Sequence, residues 1–222
     1  MNLAIIPARS GSKGLKYKNI ALLKGIPLIK YTLDAAFGCS FIDRVVVSTD
    51  SEEIKKVCEN YTHLVVKREY GISDDKAPLA PVIIDALGKV ESFYGRQFKN
   101  IITLQPTSPL RDAKEINYAY LRFKQLKADS MLSVTEELHS IWASENGYAE
   151  PLVYSKVNRQ EARPHYLGNG AIFITSREIL LENRDRIGGK VAIHPMSKIN
   201  SIDIHTQEDL ELAEYYLTRS KK

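Results

Sequence analysis

The sequence predicts an α/β fold, a three-layer α/β/α sandwich in which helices cover both faces of a mostly parallel sheet. Short runs of β-branched residues alternate with amphipathic segments along most of the chain, which is the order of right-handed βαβ units. Several of the runs are apolar throughout, as expected of strands that are buried on both faces. Because 222 residues suffice for one such sandwich, we expect a single domain over residues 1–222.

Six runs are predicted as strands because they are short and rich in aliphatic and β-branched residues. They are residues 3–6, 44–48, 63–66, 100–104, 130–135 and 170–175. The amphipathic segments between and after them are predicted as helices, at residues 28–37, 51–59, 78–93, 112–127 and 207–217. Asp50 and Thr206 are predicted as N-caps, since each has an acidic residue three positions later, as in a capping box.

The alternation of strands and helices stops at residues 136–168, where the sequence is polar and carries Trp142, Tyr154 and two prolines. A long stretch of this kind inside a compact domain is usually functional. We interpret it as an insertion, either a lid over a site or an arm that contacts a partner.

Composition excludes several classes of protein. The formal net charge of +4 is mild, and the basic residues are spread along the chain, so nucleic-acid binding is not indicated. The same charge suits an enzyme with polyanionic substrates. Cys39 and Cys58 form neither a disulfide framework nor a metal-binding spacing. No apolar window reaches the length of a membrane span and no signal peptide is recognised, so we expect a cytoplasmic protein without a membrane partner.

The loop after the first predicted strand is the strongest indication of function. Residues 7–19 contain two glycines, no acidic residue and four cations, which are Arg9, Lys13, Lys16 and Lys18. Exposed backbone N–H groups and cations that follow a buried strand are typical of a phosphate-binding loop, and a solvated basic loop is the alternative. The GxxxxGK[ST] order of a P-loop and the GxGxxG order of dinucleotide-binding enzymes are both absent, which disfavours those two classes.

Four ordered motifs together resemble the acylneuraminate cytidylyltransferase family, which comprises the CMP–sialic acid synthetases and their relatives. They are residues 6–19 (IPARSGSKGLKYKN), 47–50 (VSTD), 104–111 (LQPTSPLR) and 169–173 (NGAIF), with Ser201-Ile-Asp203 beyond them. The resemblance covers nearly the whole chain, in the order expected of the family.

This resemblance implies a Rossmann-like sheet of the nucleotide-diphospho-sugar transferase type. It implies a homodimer, in which residues 136–168 form a dimerisation arm that extends towards the partner's active site. It also implies that CTP is joined to a nine-carbon 2-keto sugar acid, giving the CMP-sugar and pyrophosphate, with Mg²⁺ as cofactor. N-acetylneuraminic and legionaminic acids are the leading acceptors, with pseudaminic acid behind them.

On the nucleotide side, the resemblance assigns phosphate binding and catalysis to Arg9 and Lys13, and a further hydrogen bond to Ser12. Asn19 is expected to contact the nucleotide from the end of the loop. Arg68 matches a family arginine near the cytosine or the phosphates, although a surface arginine is an equal alternative.

On the acceptor side, the resemblance assigns the sugar contact to Gln105, which follows a strand at the edge where open α/β sheets bind ligands. Arg159 is expected to bind the acceptor carboxylate in a bidentate manner, with Gln160 as its neighbour and Asn169 at the returning strand. For Gln105 and the rest of the motif at residues 104–111, the alternative is a proline-bracketed turn that only starts the next helix. Arg111 serves structure or substrate equally well.

The sequence departs from the family at the metal position, where Asp203-Ile-His205 replaces the common Asp-Ile-Asp. Asp203 is expected to bind Mg²⁺, directly or through water, and to act in catalysis, with helix capping beside Thr206 as the alternative. His205 completes the candidate metal site but is a poor direct ligand for Mg²⁺, which prefers oxygen. A hydrogen bond to a metal-bound water suits it better.

Trp142 stands where bacterial sialic acid synthetases often carry a lysine, and residues 139–142 (HSIW) look more like relatives that act on legionaminic acid. An interface tryptophan is the alternative. No general base is evident, and His139, His165 and His205 are candidates by residue type only.

Two rival functions stay open. A 3-deoxy-manno-octulosonate cytidylyltransferase shares the fold and the nucleotide, but the LQPTSPLR and NGAIF motifs are closer to the nonulosonate group. A catalytically silent nucleotide-binding module is the rival of another class, and the presence of Arg9, Lys13 and Asp203 counts against it.

Overall fold

The structure is a computed structural model that describes residues 1–11, 14–15, 17–62, 64–69, 78–154, 161 and 163–219. Its strands are β1 (Asn2–Pro7), β2 (Leu22–Leu23), β3 (Ile26–Pro27), β4 (Arg44–Thr49), β5 (Val65–Lys67), β6 (Asn100–Leu104), β7 (Ser130–Glu137), β8 (Ile141–Glu145), β9 (Tyr148–Val153), β10 (His165–Ser176) and β11 (Val191–Met196). Its helices are α1 (Leu28–Phe37), α2 (Glu52–Glu59), α3 (Leu79–Tyr94), α4 (Ala113–Gln125), α5 (Arg177–Asn183) and α6 (Gln207–Arg219), with a short 3₁₀ helix at Lys18–Ile20.

The central sheet has seven strands in the order β11-β7-β10-β6-β1-β4-β5. β1 pairs in parallel with β4 and β6, β4 pairs in parallel with β5, and β7 pairs in parallel with β11. β10 is the exception, because it runs antiparallel to both of its neighbours, β6 and β7. The other six strands therefore end at one edge of the sheet, which we call the carboxyl edge.

Helices cover both faces of the sheet and bury one apolar core on each side. On one face α1, α2 and α4 pack against the strands through residues such as Leu33, Ile54 and Phe123. On the other face α3 and α5 pack through Leu87 and Leu180. A third, smaller core lies between α6 and the β2–β3 hairpin.

β1 shows why the middle of the sheet has to lie inside the molecule. Leu3 and Ile5 belong to the α3 core, Ala4 and Ile6 belong to the α1 core, and all four are completely buried. Side chains alternate between the faces of a strand, so an uninterrupted apolar run requires cover on both sides. The predicted α/β/α fold class is confirmed.

Every predicted helix forms with its ends within two residues of the predicted ones, and every predicted strand has a counterpart, although residue 63 lies outside the described residues. The capping box before α6 is confirmed, because Thr206 Oγ1 accepts from the Asp209 N–H (3.3 Å) and Asp209 Oδ2 accepts from the Thr206 N–H (2.9 Å). The prediction that Asp50 caps α2 is wrong. Ser51 is the cap, since its side chain accepts from the Ile54 N–H.

The elements that were not predicted include α5, β11 and the β2–β3 hairpin. The hairpin has strands of only two residues, too short to show a period, and its turn places Lys24 and Gly25 at φ values of 52° and 75°. Such a turn is the two-residue type that matches strand twist. β11 contains Pro195, which argues against a strand in the middle of a sheet, and its position at the sheet edge removes that conflict.

The insertion leaves the sheet and returns to it at one place. Glu137, the last residue of β7, pairs with His165, the first residue of β10. Residues 136–137 and 165–168 belong to the central sheet, so the insertion is shorter than predicted. It comprises residues 138–164, which we call the arm. Within it β8 and β9 form an antiparallel hairpin, and every residue of β9 is exposed.

The cysteines and the helices can be compared with what the composition predicts. Cys39 and Cys58 are free and buried, and burial raises the pKa of their thiols to about 11 and about 12. Among the helices described, none combines the length and the apolar character needed to cross a bilayer.

Candidate functional site

The loop after β1 is fastened to the end of β4. The Ala8 N–H donates to the Ser48 carbonyl oxygen (2.9 Å), which continues the ladder by one residue. Ser10 then donates to both oxygens of Asp50, from its backbone N–H (2.8 Å) and from its hydroxyl (3.1 Å). Asp50 is thus a loop anchor rather than a helix cap. Its place at a strand's carboxyl end in the VSTD motif was the available signal, but sequence cannot distinguish the two roles.

Asn19 holds the same loop from its other end. Its side chain is buried, and Nδ2 donates to the Arg9 carbonyl oxygen (2.8 Å). The backbone that carries the Arg9 side chain is therefore fixed on both sides, by Asn19 and by Asp50. The expected contact of Asn19 with a nucleotide stays a prediction.

Three described cations act on one another at this edge. Burial lowers the pKa of Lys18, Asp203 opposes that shift, and Arg9 adds to it. Burial also lowers the pKa of Arg68, where Asp50 opposes the shift and Arg9 again adds to it. Cations that are partly desolvated and close together favour a polyanion that neutralises them.

Arg68 is only 5% exposed, so it is not a surface arginine. Its Nη2 donates to the Ser48 carbonyl oxygen (3.1 Å) at the end of β4, and its backbone N–H donates to the Thr49 carbonyl oxygen (2.8 Å). Its buried Nε has no hydrogen-bond partner within the described residues. A buried donor without a partner is costly, and a bound anion would satisfy it.

The turn after β6 is built around a buried arginine. The Gln105 carbonyl oxygen accepts from Arg111 Nη2 (3.2 Å) and from Thr32 Oγ1 (3.4 Å). Thr107 and Ser108 in this turn are also buried. The turn does lead into α4, as the purely structural alternative for this motif predicts. It also places Gln105 at the carboxyl edge.

Asp203 stands beside this turn. The Ile204 N–H donates to the Thr107 carbonyl oxygen (2.8 Å), and the Ile204 side chain is buried in the α6 core. This anchor leaves the residues on either side of it at the carboxyl edge beside the loop after β1, a region that we call the cleft. There His205 Nε2 lies 2.9 Å from Asp203 Oδ2. The other oxygen, Oδ1, is buried and has no hydrogen-bond partner in the part of the chain described.

Two glycines show how closely these segments approach one another. A Cβ atom on Gly14 would lie 2.4 Å from the His205 carbonyl oxygen, so the cationic loop packs directly on the segment that carries Asp203. Gly170 has φ +74°, and a Cβ there would lie 3.3 Å from Gln105 Nε2 and 3.9 Å from Asp203 Oδ2. The amide of Gln105 and the carboxylate of Asp203 therefore border the same point in the cleft, a contact that sequence reasoning missed.

The amide of Asn169 is engaged by the protein itself. Its Oδ1 accepts from Ser133 Oγ (2.5 Å) and from the Ala171 N–H (3.2 Å), while its Nδ2 donates to Ser201 Oγ (2.8 Å). These bonds hold the irregular part of β10, where the register with β7 shifts between Gly168 and Phe173. The expected substrate contact of Asn169 stays a prediction.

The candidate metal site offers one carboxylate. No cluster of three or more His, Cys, Asp or Glu side chains suited to a metal ion occurs within the described ranges. Mg²⁺ commonly keeps several waters and binds through one or two carboxylates together with substrate phosphates. The partnerless Oδ1 of Asp203 fits that kind of site, whereas His205 Nε2 lies 2.9 Å from the other oxygen of the same carboxylate.

Several predicted site residues lie outside the described residues, namely Ser12, Lys13, Arg159 and Gln160. In the described part of the arm, Trp142 is 49% exposed and its ring centroid lies 5.4 Å from that of Tyr154. His139 contacts Glu137 at the base of the arm through Nδ1.

A mostly parallel sheet with a fastened cationic loop and a carboxylate at its carboxyl edge is typical of nucleotide-binding α/β proteins. A sequence profile described as "Cytidylyltransferase" matches residues 3–217. The chain therefore belongs to the cytidylyltransferase family, and the resemblance seen in its four motifs is confirmed.

Relatives with sequence similarity fall into two length classes. An N-acylneuraminate cytidylyltransferase of Streptococcus agalactiae is 36% identical over 215 residues, which cover 93% of this chain and 51% of that protein. A CMP-N,N'-diacetyllegionaminic acid synthase of Legionella pneumophila is 33% identical over 220 residues, covering 96% of this chain and 94% of that protein. The chain thus spans about half the length of the curated N-acylneuraminate cytidylyltransferases it matches.

Among solved structures, that of a CMP:2-keto-3-deoxy-manno-octonic acid synthetase complexed with CTP superposes with a TM-score of 0.74. The match covers 99% of both chains at 15% sequence identity. At that identity the likeness establishes the fold alone, a three-layer α/β/α sandwich.

Proposed function

We propose that this protein is a cytidylyltransferase that joins CTP to a nonulosonic acid, either N-acetylneuraminic or legionaminic acid, and releases pyrophosphate. The observation that carries the proposal is the approach of the cationic loop to Asp203 beside Gln105, at one edge of the sheet. The relatives support the substrate class, since one is an N-acylneuraminate cytidylyltransferase and another a CMP-N,N'-diacetyllegionaminic acid synthase.

The chemistry requires alignment and charge neutralisation more than covalent participation by the protein. The anomeric hydroxyl of the acceptor forms a bond to the α-phosphorus of CTP while the bond from that phosphorus to the bridging oxygen breaks. The electron pair leaves with pyrophosphate, and the proton of the hydroxyl passes to water or to a phosphate oxygen. We assign no side chain to that proton.

In this proposal the fastened loop binds the triphosphate. Arg9, Lys13 and Ser12 contact phosphate oxygens, with Asn19 at the end of the loop, and Arg68 uses its partnerless Nε for an anion. The mutual effects of the described cations support this role, because a triphosphate relieves their repulsion.

The acceptor binds on the opposite side of the cleft. Gln105 donates from its amide to the sugar, and Arg159 with Gln160 receives the acceptor carboxylate. Asn169 acts mainly through the bulge that it holds, which places Gly170 against Gln105.

Mg²⁺ is part of the proposal, with Asp203 as its protein ligand through Oδ1. Bound there, the ion would neutralise charge on the phosphate oxygens. The contact of His205 Nε2 with Oδ2 would orient the carboxylate, which is the usual task of a residue that contacts a metal ligand.

The rival acceptor, 3-deoxy-manno-octulosonic acid, has the support of the solved synthetase complexed with CTP. That likeness concerns the fold, whereas the relatives of higher sequence identity carry nonulosonic acids in their names. The nonulosonic acids are therefore our first choice. A cytoplasmic location belongs to the same proposal, because both cysteines are free thiols, as in a reducing compartment.

We also propose a homodimer formed through the arm. Trp142, Tyr148, Leu152 and Tyr154 are large apolar side chains that the arm leaves exposed. Clustered exposed aromatic residues are typical of interaction surfaces. Light scattering on the intact protein tests this: a dimer is expected for the wild type, and Trp142→Ala with Leu152→Ala is expected to yield monomers.

The experiment that tests the function is pyrophosphate release from CTP and Mg²⁺ with four acceptors in parallel: N-acetylneuraminic, legionaminic, pseudaminic and 3-deoxy-manno-octulosonic acids. Release with N-acetylneuraminic or legionaminic acid is the expected result. Release with none of them, although CTP raises the melting temperature more than ATP does, would favour the silent nucleotide-binding module instead.

A further inference from the structure

Arg111 is the largest of the fully buried side chains described, at 1% exposure. Its Nε and Nη1 atoms have no hydrogen-bond partner within the described residues, and no ion pair involves it there. The carboxylate of the adjacent Asp112 caps α4, because it accepts from the Glu115 N–H (3.0 Å). Burial lowers the pKa of the guanidinium to about 10.

A buried cation without a paired acid is a cost to the folded state. An apolar side chain of similar volume would remove the desolvation penalty, and buried charges exchanged in this way often leave a protein as stable or more so. Sequences depart from such local rules chiefly at functional sites. The contacts that Arg111 does make should therefore identify its use.

Arg111 makes those contacts through one nitrogen. Nη2 donates to Thr32 Oγ1 on α1 (2.9 Å) and to the Gln105 carbonyl oxygen (3.2 Å). Thr32 Oγ1 itself donates to that carbonyl oxygen (3.4 Å), so the three groups form a triangle. The Ser108 N–H adds a further bond to the same oxygen (3.4 Å). The backbone of Gln105 is therefore held by donors from α1, from Ser108 and from Arg111.

The same turn also carries the metal-side segment. Between Gln105 and Arg111 lies Thr107, whose carbonyl oxygen accepts from the Ile204 N–H (2.8 Å) and so holds the chain on either side of Ile204. The Arg111 N–H closes the turn by donating to the Ser108 carbonyl oxygen (3.3 Å). One turn thus fixes both groups that border Gly170, the amide of Gln105 and the carboxylate of Asp203.

We infer that Arg111 is a positioning residue, which holds the turn 105–111 so that Gln105 and Asp203 keep their relative placement at the cleft. Arg111 touches no substrate in this scheme, because it lies below the turn and is fully buried. The kinetic consequence of the inference rests on the proposed function, whereas its structural consequence does not.

The structural consequence is tested by hydrogen exchange at the amides of Ser108 and Ile204, whose acceptors lie in the turn. Three variants separate the contributions. Arg111→Met removes charge and donors, Arg111→Lys keeps the charge without the guanidinium, and Thr32→Val removes the third member of the triangle. We expect exchange at both amides to rise about tenfold or more in Arg111→Met and less in the other two.

Arg186→Lys is the matched control. Arg186 is also desolvated, with its pKa lowered by burial and its Nη1 partnerless in the described part of the chain. It lies elsewhere, with its guanidinium carbon 3.9 Å from the centroid of the Phe173 ring. Exchange at Ser108 and Ile204 should not change in this variant.

The kinetic arm follows pyrophosphate release. In Arg111→Lys the acceptor KM is expected to rise about tenfold and kcat to fall by up to about 10²-fold, since small misplacement of reacting groups has effects of that order. The KM for CTP should stay close to that of the wild type. A purely structural role would lower the melting temperature and leave KM and kcat of the folded enzyme unchanged.

The outcomes of the two arms are distinguishable. Unchanged exchange at both amides in folded Arg111→Lys and Thr32→Val overturns the inference, whatever the activity. A wild type that releases no pyrophosphate with any acceptor overturns the proposed function, while the exchange measurement still decides the role of Arg111. Should Arg111→Met fail to fold, the two milder variants decide alone.

Discussion

The two halves of the cleft, which we name after the ligands that we propose they bind, are built in different ways. The nucleotide half, formed by the loop after β1 and the ends of β4 and β5, uses strands that are parallel neighbours in the sheet. The acceptor half, formed by the turn after β6, the bulge of β10 and residues 203–205, uses an antiparallel strand and side-chain hydrogen bonds. The first half follows from the course of the backbone, whereas the second depends on individual polar side chains.

This difference has a consequence for mutation. In the nucleotide half one carboxylate, Asp50, holds the loop, and the surrounding strands exist without it. In the acceptor half Asn169 joins Ser133, Ala171 and Ser201, so three segments that are distant in sequence meet on one amide. Changes in the first half should affect function with little effect on stability, and changes in the second should affect both.

The largest effect is expected where the halves meet, at Asp203. Asp203→Asn keeps the size of the side chain but removes the charge proposed to hold Mg²⁺, so kcat should fall by about 10²-fold or more. Pyrophosphate release measures this, with the melting temperature as a check on folding. Asp34→Asn, at an exposed ion pair with Lys30, is the control and should keep full activity. Turnover near the wild-type level in Asp203→Asn would exclude Asp203 as the metal ligand.

In the nucleotide half, Asp50→Ala should raise the KM for CTP about tenfold, because the loop loses two hydrogen bonds to a charged acceptor and keeps only its other anchors. The acceptor KM and the urea midpoint should change little. Glu52→Gln, two residues on and paired with Lys55 at the surface (3.6 Å), is the control. If the acceptor KM rose as much as that for CTP, the division of the cleft into two halves would be wrong.

In the acceptor half, Asn169→Ala leaves several buried groups without partners, and the free energy of unfolding should fall by about 1–3 kcal/mol. The acceptor KM should rise several-fold while the KM for CTP is unchanged. Urea unfolding and initial rates measure the two effects. Asn60→Ala, at the exposed end of α2, is the control and should change neither. Unaltered stability in Asn169→Ala would mean that the bulge of β10 does not need the side-chain amide of Asn169.

Acid should weaken the contact of α4 with β11 and Asn200, which borders the acceptor half. The hydrogen bond with His194 (2.9 Å), joined by that from Asn200 (2.7 Å), lowers the pKa of Glu115 from its ordinary value of 4.5. A carboxylate whose pKa is lowered by folding stabilises the protein above the unfolded value, and this stabilisation is lost as pH falls through the folded value. Below about pH 4.5 the wild type should therefore lose the stabilisation that the ionised Glu115 provides. Glu115→Gln lacks this stabilisation at every pH.

Urea unfolding at several pH values between 7 and 3 tests this expectation. The wild type should exceed Glu115→Gln by about 1 kcal/mol at neutral pH, and the two curves should converge in acid. Glu59→Gln, on an exposed helix end, should follow the wild type. Parallel curves for the wild type and Glu115→Gln would show that this carboxylate does not carry the acid sensitivity.

The smallest effect is expected at His205. His205→Asp restores the Asp-Ile-Asp order of the family and adds an oxygen ligand, so activity with Mg²⁺ should be kept or raised by a few-fold. His205→Asn is the companion variant, since it lacks the added charge. A large loss of turnover in His205→Asp would mean that the contact of the imidazole with Asp203 is needed.

The comparison of the halves also explains what the sequence could predict. The apolar runs of β1, β4 and β6 and the helices after them could be read directly, because burial on both faces leaves a local pattern. The cationic loop could also be recognised, because its glycines and cations lie close together in the sequence. Gly170 could not be assigned its contact with Gln105 and Asp203, since 64 positions separate residues 105 and 169 and only the antiparallel course of β10 brings them together.

Single side chains were the other source of difficulty. Asp50 satisfies the spacing of a helix cap and of a loop anchor equally well, and Ser51 took the cap. Arg111 stood at the end of the LQPTSPLR motif, but its complete burial depends on α1 and α4 as much as on its neighbours in sequence. The resemblance to a family located these residues without giving their contacts.

The pairing of Glu137 with His165 has a consequence for how such proteins diversify. Because the arm departs and rejoins at adjacent positions, it can lengthen, shorten or be exchanged without altering the register of any strand in the sheet. The arm can then be exchanged as one unit while the seven-stranded sheet and the loop after β1 are inherited intact. Glu137 and His165 mark the two positions between which a relative's arm could be grafted.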